Sequence, residues 1–231
     1  MPPRTVIFFA VAIAAAQSAS ASAIVIGSRD GNTCYPFSCG SNGEYQQIYL
    51  SSAFTAPFSI SSIAFASGSP YPNIAKSLNV EIGLSTSSAA ALSNSYLANR
   101  GSNFTIVYSG SRTFVSSGTD TFDLIFNTSP FLYNPALGNL LLDIKVNAVS
   151  NAIIAFNETD TPLTSRLIDL GFPFVSPSSG LLTSFGVGPQ IVAVPETSTS
   201  TMLSVGIILL FLRYVICRAH VPAVALEGDR L

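Results

Sequence analysis

The sequence predicts an all-β protein: an antiparallel β-sandwich of jelly-roll type with one short helix, flanked by an N-terminal signal helix and a single C-terminal membrane helix. Apolar and polar residues alternate over several short stretches, as they do in half-buried strands. Turn sequences such as Ser67-Gly68-Ser69-Pro70 and Asn134-Pro135 separate these stretches, and no helices alternate with them. No repeat of fixed period is present, which argues against a propeller or a β-helix.

The N-terminus has the three parts of a secretory signal peptide. Arg4 supplies positive charge, residues 6–16 form an apolar core, and the small residues at 19–23 offer a peptidase site. We therefore expect residues 1–21 to direct export and to be removed. An uncleaved N-terminal anchor is the alternative interpretation.

Residues 22–188 are predicted to form one exported domain, because this length supports a single hydrophobic core. Apolar residues make up 48% of the chain, more than a disordered chain carries. Between residues 22 and 200 there are six basic and ten acidic residues, a net charge of −4 with no basic cluster. A nucleic acid partner is therefore not expected, since such binding needs clustered Lys and Arg.

Alternation of period two is clearest at residues 78–84, 122–126 and 140–146. Residues 58–65 keep the apolar pattern but slip phase by one position at Ser61-Ser62, which predicts a bulge or a break there. The remaining strand candidates are residues 45–50, 104–108, 152–156, 166–170 and 181–185.

The one predicted helix covers residues 88–99. Its start is rich in alanine, and Leu92, Tyr96 and Leu97 follow at spacings that suit packing on a sheet edge.

Cys34 and Cys39 flank a short turn that contains Pro36. In a chain exported to an oxidising compartment this spacing favours a local disulfide. A metal site is the alternative, but it would need further soft ligands, and the only histidine of the chain is His220. Cys217 lies within an apolar stretch and is interpreted as a small buried residue.

The lack of histidine in residues 22–188 excludes Ser-His-Asp and Cys-His triads and a His-ligated zinc. We therefore expect no enzyme activity and no cofactor or metal. Three weaker possibilities remain. They are carboxylate pairs for glycoside hydrolysis (Asp120 with Asp123, Glu158 with Asp160), a Ca²⁺ site at Asp30-Gly31-Asn32, and sugar stacking by Tyr71, Tyr96, Tyr108 or Tyr133. The favoured explanations are solvated surface acids for the carboxylates, an ordinary turn for Asp30-Gly31-Asn32, and core or turn positions for most of the tyrosines.

Near the C-terminus, residues 202–212 form an eleven-residue apolar run. As a helix it spans roughly 16 Å, about half of a bilayer's hydrocarbon core, and roughly 24 Å if it continues to Cys217 with Arg213 reaching the headgroups. This is a marginal anchor. Arg213 and Arg218 follow the run, so the tail is expected in the cytoplasm. A buried helix of a globular domain is the alternative.

The order Val194-Pro195-Glu196-Thr197, Ser/Thr stretch, apolar run and arginines resembles the PEP-CTERM sorting signal of Gram-negative bacteria. The resemblance covers residues 194–218 and implies that an exosortase-type enzyme recognises and cuts the chain at the Pro-Glu motif. Thr197 stands where the family has a second proline, and Arg213 and Arg218 are spaced apart instead of clustered. The implied organisation is a linker at 189–201, a sorting helix at 202–218 and a cytoplasmic tail at 219–231.

A second resemblance concerns the predicted domain. Residues 34–39, 43–47, 133–136 and 138–143 are similar to segments of uncharacterised ectodomains that carry such signals. This resemblance helps to define the domain and implies no activity. From the export and sorting signals and the absence of recognisable catalytic residues, the expected function is that of an exported structural or adhesive protein of the cell surface or the exopolysaccharide matrix. A carbohydrate-binding module is the alternative, and a glycosidase-like enzyme is the third interpretation.

Overall fold

The computed structural model describes residues 22–39, 43–68, 72–118, 121–150 and 152–188, all within the unit Met1–Gln190. The predicted signal helix, linker, sorting helix and tail lie outside these residues. In the described part of the chain no helix is both long and apolar enough to cross a membrane.

Strands dominate the described residues, and only a single short α-helix, α1 (Tyr96–Asn99), and two 3-10 turns (Ser51–Ala53 and Pro135–Leu137) accompany them there. The strands are β1 (Ser22–Ile26), β2 (Gly31–Thr33), β3 (Glu44–Tyr49), β4 (Phe58–Phe65), β5 (Ala75–Ser87), β6 (Thr105–Val115), β7 (Leu124–Tyr133), β8 (Asn139–Val149), β9 (Phe156–Thr159), β10 (Thr164–Asp169), β11 (Pro173–Pro177), β12 (Gly180–Leu181) and β13 (Thr183–Val187).

The strands form three antiparallel sheets, which confirms the prediction of an all-β fold for the described residues. A four-stranded sheet has the order β1-β13-β4-β7, and a six-stranded sheet has the order β11-β10-β3-β8-β5-β6. A small third sheet has the order β12-β9-β2.

Strand pairing within the two larger sheets is nested along the chain. β5 pairs with β6, β4 with β7, β3 with β8 and β1 with β13, each pair enclosing the previous one along the chain. The chain therefore runs as one long hairpin whose paired arms are distributed between two sheets.

A single aromatic core joins the two larger sheets into a sandwich-like unit. Ile63 and Phe65 of β4 belong to the same buried cluster as Ile82 of β5 and Ile144 of β8. The ring centroid of Phe37, in the loop between β2 and β3, lies 5.1 Å from the ring centroids of Phe65 and of Phe156. Burial of such side chains contributes about 1.5–3 kcal/mol each.

The phase slip predicted at Ser61-Ser62 is confirmed. The register of β4 against β7 shifts between Ile60 and Ser62, which allows Ile60 and Ile63 both to face the core although they are three positions apart.

The helix predicted over residues 88–99 is mostly wrong, because only Tyr96–Asn99 is helical. Serine side chains compete for the backbone of this segment: Ser87 Oγ accepts from Ala89 N at 3.2 Å, and Ser93 Oγ accepts from Ser95 N at 3.3 Å. Leu92 and Tyr96 still pack inward, but they do so from an irregular segment.

Two strand predictions also needed correction. Residues 152–155 are not a strand, since Ile154 N donates to Ser38 Oγ, Lys76 Nζ donates to Ala152 O, and Gly68 N donates to Ala155 O. The predicted strand 181–185 is divided between β12 and β13. Leu182 N donates to Asn157 O at the point where the chain leaves the small sheet for the four-stranded one.

The outer face of the six-stranded sheet, turned away from the core, has two halves. In the covered half, the chain from 88 to 104 lies over Gln46, Ile48, Leu141 and Asp143, which are at most 3% exposed. In the open half, residues 75–81 of β5, together with β6 and the end of β8, present their outer side chains to solvent, whereas Ser85 and Ser87 of β5 are buried in the covered half. β8 is therefore covered on both faces over part of its length, where alternation alone had predicted a half-buried strand.

Candidate functional site

The predicted sorting residues Val194, Pro195, Glu196 and Thr197 lie outside the described residues, as do Arg213 and Arg218. The other candidates fall within the described ranges, except Tyr71 and Asp120.

The structure places Cys34 and Cys39 in a disulfide with their Cα atoms 5.1 Å apart. The loop between them is tight, because Ser38 N and Cys39 N both donate to Cys34 O, at 2.7 and 3.1 Å. Phe37 projects from this loop into the core with no exposed surface. The closed loop thus positions a core aromatic residue, a role that the sequence analysis missed.

The Asp30 carboxylate is held by neighbouring hydrogen bonds. Asp160 N donates to its Oδ2 at 2.9 Å and Ser28 Oγ at 2.8 Å, and these bonds lower the pKa of Asp30, the backbone one most. Nowhere in the described ranges do three or more His, Cys, Asp or Glu side chains group so as to hold a metal ion. The two hydrogen bonds tie the Asp30 carboxylate to Ser28 and to the backbone of Asp160.

The carboxylates considered for hydrolysis are engaged separately. Glu158 Oε1 accepts from Arg166 Nη2 at 2.5 Å and from Ser179 Oγ at 2.6 Å, and its side chain is only 18% exposed. Asp123 Oδ2 accepts from Ser67 Oγ at 2.5 Å and from Ser117 N at 2.8 Å. Burial acts to raise the pKa of Asp123, but the hydrogen bonds from Ser117, Ser67 and Thr121 together outweigh it and lower the pKa. Both carboxylates close loops, and Glu158 is not the solvated acid that was expected.

The tyrosines considered for sugar stacking are occupied elsewhere. Tyr133 has no exposed surface, and Tyr108 packs edge-on against Phe126 with centroids 5.0 Å apart. Tyr96 Oη donates to Glu44 O at 2.9 Å. These three are core or anchoring residues, as the favoured explanation expected.

The open half carries a regular polar surface, which we call the hydroxyl–amide ladder: Ser77 and Asn79 of β5, Ser111 and Thr113 of β6, and Asn147 of β8. Lys76, Leu78 and Val80 of β5 are buried, so Ser77 and Asn79 must face outward. The register places Ser77 opposite Thr113 and Asn79 opposite Ser111.

Hydrogen bonds connect the rungs of the ladder. Ser77 Oγ and Thr113 Oγ1 are 2.9 Å apart, Asn79 Nδ2 donates to Ser111 Oγ at 3.1 Å, and Asn147 Nδ2 donates to Asn79 Oδ1 at 3.2 Å. All five side chains are neutral. Each hydroxyl and amide keeps further donor or acceptor capacity, so the ladder can form hydrogen bonds with a flat, hydroxylated partner.

Charge borders the ladder at one end, where Glu81 of β5 lies opposite Lys145 of β8 in the register. These side chains face outward on the same side of the sheet as the ladder. The surface is thus a strip of neutral hydrogen-bonding groups with one acidic and one basic residue beside it.

Comparison of the chain with protein-family models, with curated proteins and with solved structures finds no match.

The covered half is charged and closed by contrast. Arg100 Nε donates to Asp143 Oδ2 at 2.8 Å and Arg100 Nη2 to Glu44 Oε1 at 2.9 Å, while the guanidinium lies 4.2 Å from the Phe104 ring centroid. Hydrogen bonding to Asp143 raises the pKa of Arg100, and burial, followed by the nearby Asp143 charge, raises the pKa of Glu44. These charged groups bind one another and fix the overlying segment.

Proposed function

We propose that the chain is an exported protein of the cell surface or exopolysaccharide matrix with a structural or adhesive role and no catalysis of its own. Its scaffold is a jelly roll, supported by the nested antiparallel pairs and their division between two sheets. Residues 1–21 direct export, and residues 194–218 provide the sorting signal that an exosortase-type enzyme reads at the membrane.

The observation that carries the adhesive role is the hydroxyl–amide ladder. A hydrated polysaccharide offers many hydroxyl groups and little apolar surface, and a flat row of Ser, Thr and Asn side chains can exchange hydrogen bonds with it. Each such bond contributes only about 0.5–1.5 kcal/mol net. Retention on a polymer would therefore come from many weak contacts, which suits a matrix component.

Co-sedimentation of the purified protein with insoluble polysaccharides tests this role. We expect Asn79→Ala with Ser111→Ala to reduce the bound fraction. Asn127→Ala is the matched control, because Asn127 is an exposed residue of β7 in the other sheet. Equal retention of both variants and the parent protein would remove the ladder from the proposal.

A carbohydrate-binding module is the second candidate, and the same ladder favours it. The two functions differ in whether binding to one defined sugar is saturable. A glycan array should show saturable binding to one defined sugar, lost in Asn79→Ala, if the protein is a module. A matrix component should instead be retained by several hydroxylated polymers with no single preferred sugar.

The Cys34–Cys39 bridge tests export. Peptide mass spectrometry of unreduced mature protein should recover these two cysteines as one linked peptide, because the exported chain is in an oxidising compartment. Two freely alkylatable thiols would count against that location.

Sorting is tested at the other end of the chain. In a host with a matching exosortase-type enzyme, the mature C-terminus should map close to Pro195, and Glu196→Ala should leave a longer, membrane-bound form. A native protein that keeps Arg218 and the tail in the membrane fraction would refute processing and leave a short permanent anchor as the better account.

A further inference from the structure

The edges of the two larger sheets differ in their capacity to accept another strand. β1 has five residues, β11 begins with Pro173 and ends with Pro177, and β7 contains Pro130 beside a register shift. These are common ways to protect an edge. β6 has eleven residues and no proline, and it pairs with β5 alone. It is the longest edge strand without proline in the described residues, although its register against β5 shifts between Tyr108 and Ile106 and Tyr108 Oη donates to Ser111 O at 3.1 Å.

The register of β6 against β5 determines which of its backbone N–H and C=O groups point away from β5. Ser116, one residue beyond the strand, donates its N–H to Ile74 O at 2.9 Å, so Ser116 belongs to the set that bonds toward β5. In an antiparallel pair this set alternates with the set that points away. Ser109, Ser111, Thr113 and Val115 therefore direct their N–H and C=O groups toward the free edge.

We propose that β6 pairs antiparallel with β6 of a second copy of this chain, with the two-fold axis at Gly110. In this register Ser109 lies opposite Ser111 of the second copy, so two residues of the outward set exchange hydrogen bonds. The contact is isologous, since the same strand serves both copies. The inference concerns the edge strand and does not rest on the proposed function.

Two features favour this register. Tyr108 lies opposite Arg112 of the second copy on one face of the joined sheet, which places a cation beside an aromatic ring. Arg112 Nε is buried and has no hydrogen-bond partner among the described residues, so an added strand gives it a neighbour. Gly110 meets Gly110 at the axis, so no side chain projects from the axis position itself.

Pairing would also enlarge the polar surface. Ser111 and Thr113 belong both to the hydroxyl–amide ladder and to the paired edge, so the ladders of the two copies become one strip that crosses the axis.

Disulfide trapping tests the register. Two full chains are prepared in detergent with Cys217→Ser, one with Ser109→Cys and the other with Ser111→Cys, each with a different tag. Directly opposed residues have Cα atoms about 5.5 Å apart, whereas each position faces its own counterpart only on the diagonal, at about 7–8 Å, beyond disulfide range. We expect a covalent dimer in the mixture at least tenfold faster than in either variant alone.

Ser111→Pro tests the edge separately, because it removes an outward N–H that β5 does not use. Ser111→Ala is the control, since it loses the same hydroxyl and keeps the N–H. Sedimentation velocity over a range of concentrations should show a monomer–dimer equilibrium for the parent and Ser111→Ala, and a monomer for Ser111→Pro with an unchanged circular dichroism spectrum.

A parent chain that stays monomeric would overturn the proposal. So would a dimer that persists in Ser111→Pro, or a mixture that crosslinks no faster than its components. If Ser111→Pro misfolds, the crosslinking rates decide alone.

Discussion

The two halves of the outer face of the six-stranded sheet belong to the same paired strands, yet their polar side chains are in opposite environments, buried in one half and exposed to water in the other. In the covered half, Gln46, Asn99 and Asp143 are at most 3% exposed, and each of them has side-chain hydrogen bonds. In the open half, Ser77 bonds to Thr113 and Asn79 bonds to Ser111 across the strands, and these side chains remain in contact with water. The comparison separates polar groups that the fold requires from polar groups that remain available to a partner.

The difference follows from desolvation. A buried carboxylate without a cation costs several kcal/mol, so Asp143 requires Arg100 and Gln46. An exposed hydroxyl can exchange its protein partner for water at little net cost. Mutations in the covered half should therefore affect stability, and mutations in the open half should affect binding.

The largest expected effect is that of Arg100→Leu. It leaves the Asp143 carboxylate, 3% exposed, without a cation, and it removes the contact with Phe104. We expect the free energy of unfolding to fall by about 3 kcal/mol, measured by urea denaturation followed by circular dichroism. Lys145→Leu in the open half is the matched control and should change it by less than about 1 kcal/mol. Similar losses from both variants would contradict the comparison.

Asn99→Ala should have the next largest effect. Asn99 Nδ2 donates to Gln46 Oε1 at 2.9 Å, and Asn99 Oδ1 accepts from Ser93 N at 2.8 Å, so its truncation leaves buried polar groups unpaired. The expected loss is about 1–3 kcal/mol. Asn79→Ala, the same change in the open half, should cost clearly less in a parallel denaturation series. An equal loss of unfolding free energy in the two variants would show that burial under residues 88–104 does not determine the effect of the substitution.

The sequence identified much of the scaffold but could not separate the two halves. Alternation located β5, β8 and the slip in β4, because core burial imposes a period of two. Asp143 stands between Leu142 and Ile144, a position that alternation alone predicts to be exposed; only the fold of residues 88–104 over the sheet buries it. That fold is irregular and depends on serine and asparagine side chains, which leave no periodic pattern.

The ladder was missed for a related reason. Ser77 and Asn79 alternate with buried residues and could have been assigned to an outer face from the sequence. Their partners Ser111 and Thr113 are 30 or more positions away, and only the register of β5 against β6 brings the rungs together. Register depends on the turn and on core packing, so it could not be read from residues 105–115 alone.

Unfolding free energies measured over a pH series test how the covered half affects the Glu44 carboxyl. Burial, and then the charge of Asp143, raise the pKa of this carboxyl in the folded state. The folded chain therefore holds the Glu44 proton more tightly than the unfolded chain. The resulting stability is fully present below the ordinary pKa of glutamate and is lost as the pH rises through the folded value. We expect the free energy of unfolding of the parent, relative to Glu44→Gln, to decline as the pH increases from about 4 to about 7. A flat or rising difference would contradict the assigned direction.

The smallest expected effect compares one hydroxyl in each half. Ser87 Oγ is buried, donates to Asn99 O at 2.8 Å and accepts from Ala89 N at 3.2 Å, so Ser87→Ala should cost about 1 kcal/mol. Ser77 Oγ is exposed and lies 2.9 Å from Thr113 Oγ1, where water can replace either partner. Ser77→Ala with Thr113→Ala should change the free energy of unfolding by less than about 0.5 kcal/mol in the same urea titration. A loss above about 1 kcal/mol would mean that the rungs are structural, and the ladder would then no longer be a surface kept free for a partner. A negligible loss, together with reduced retention on polysaccharide, would assign the ladder to binding alone.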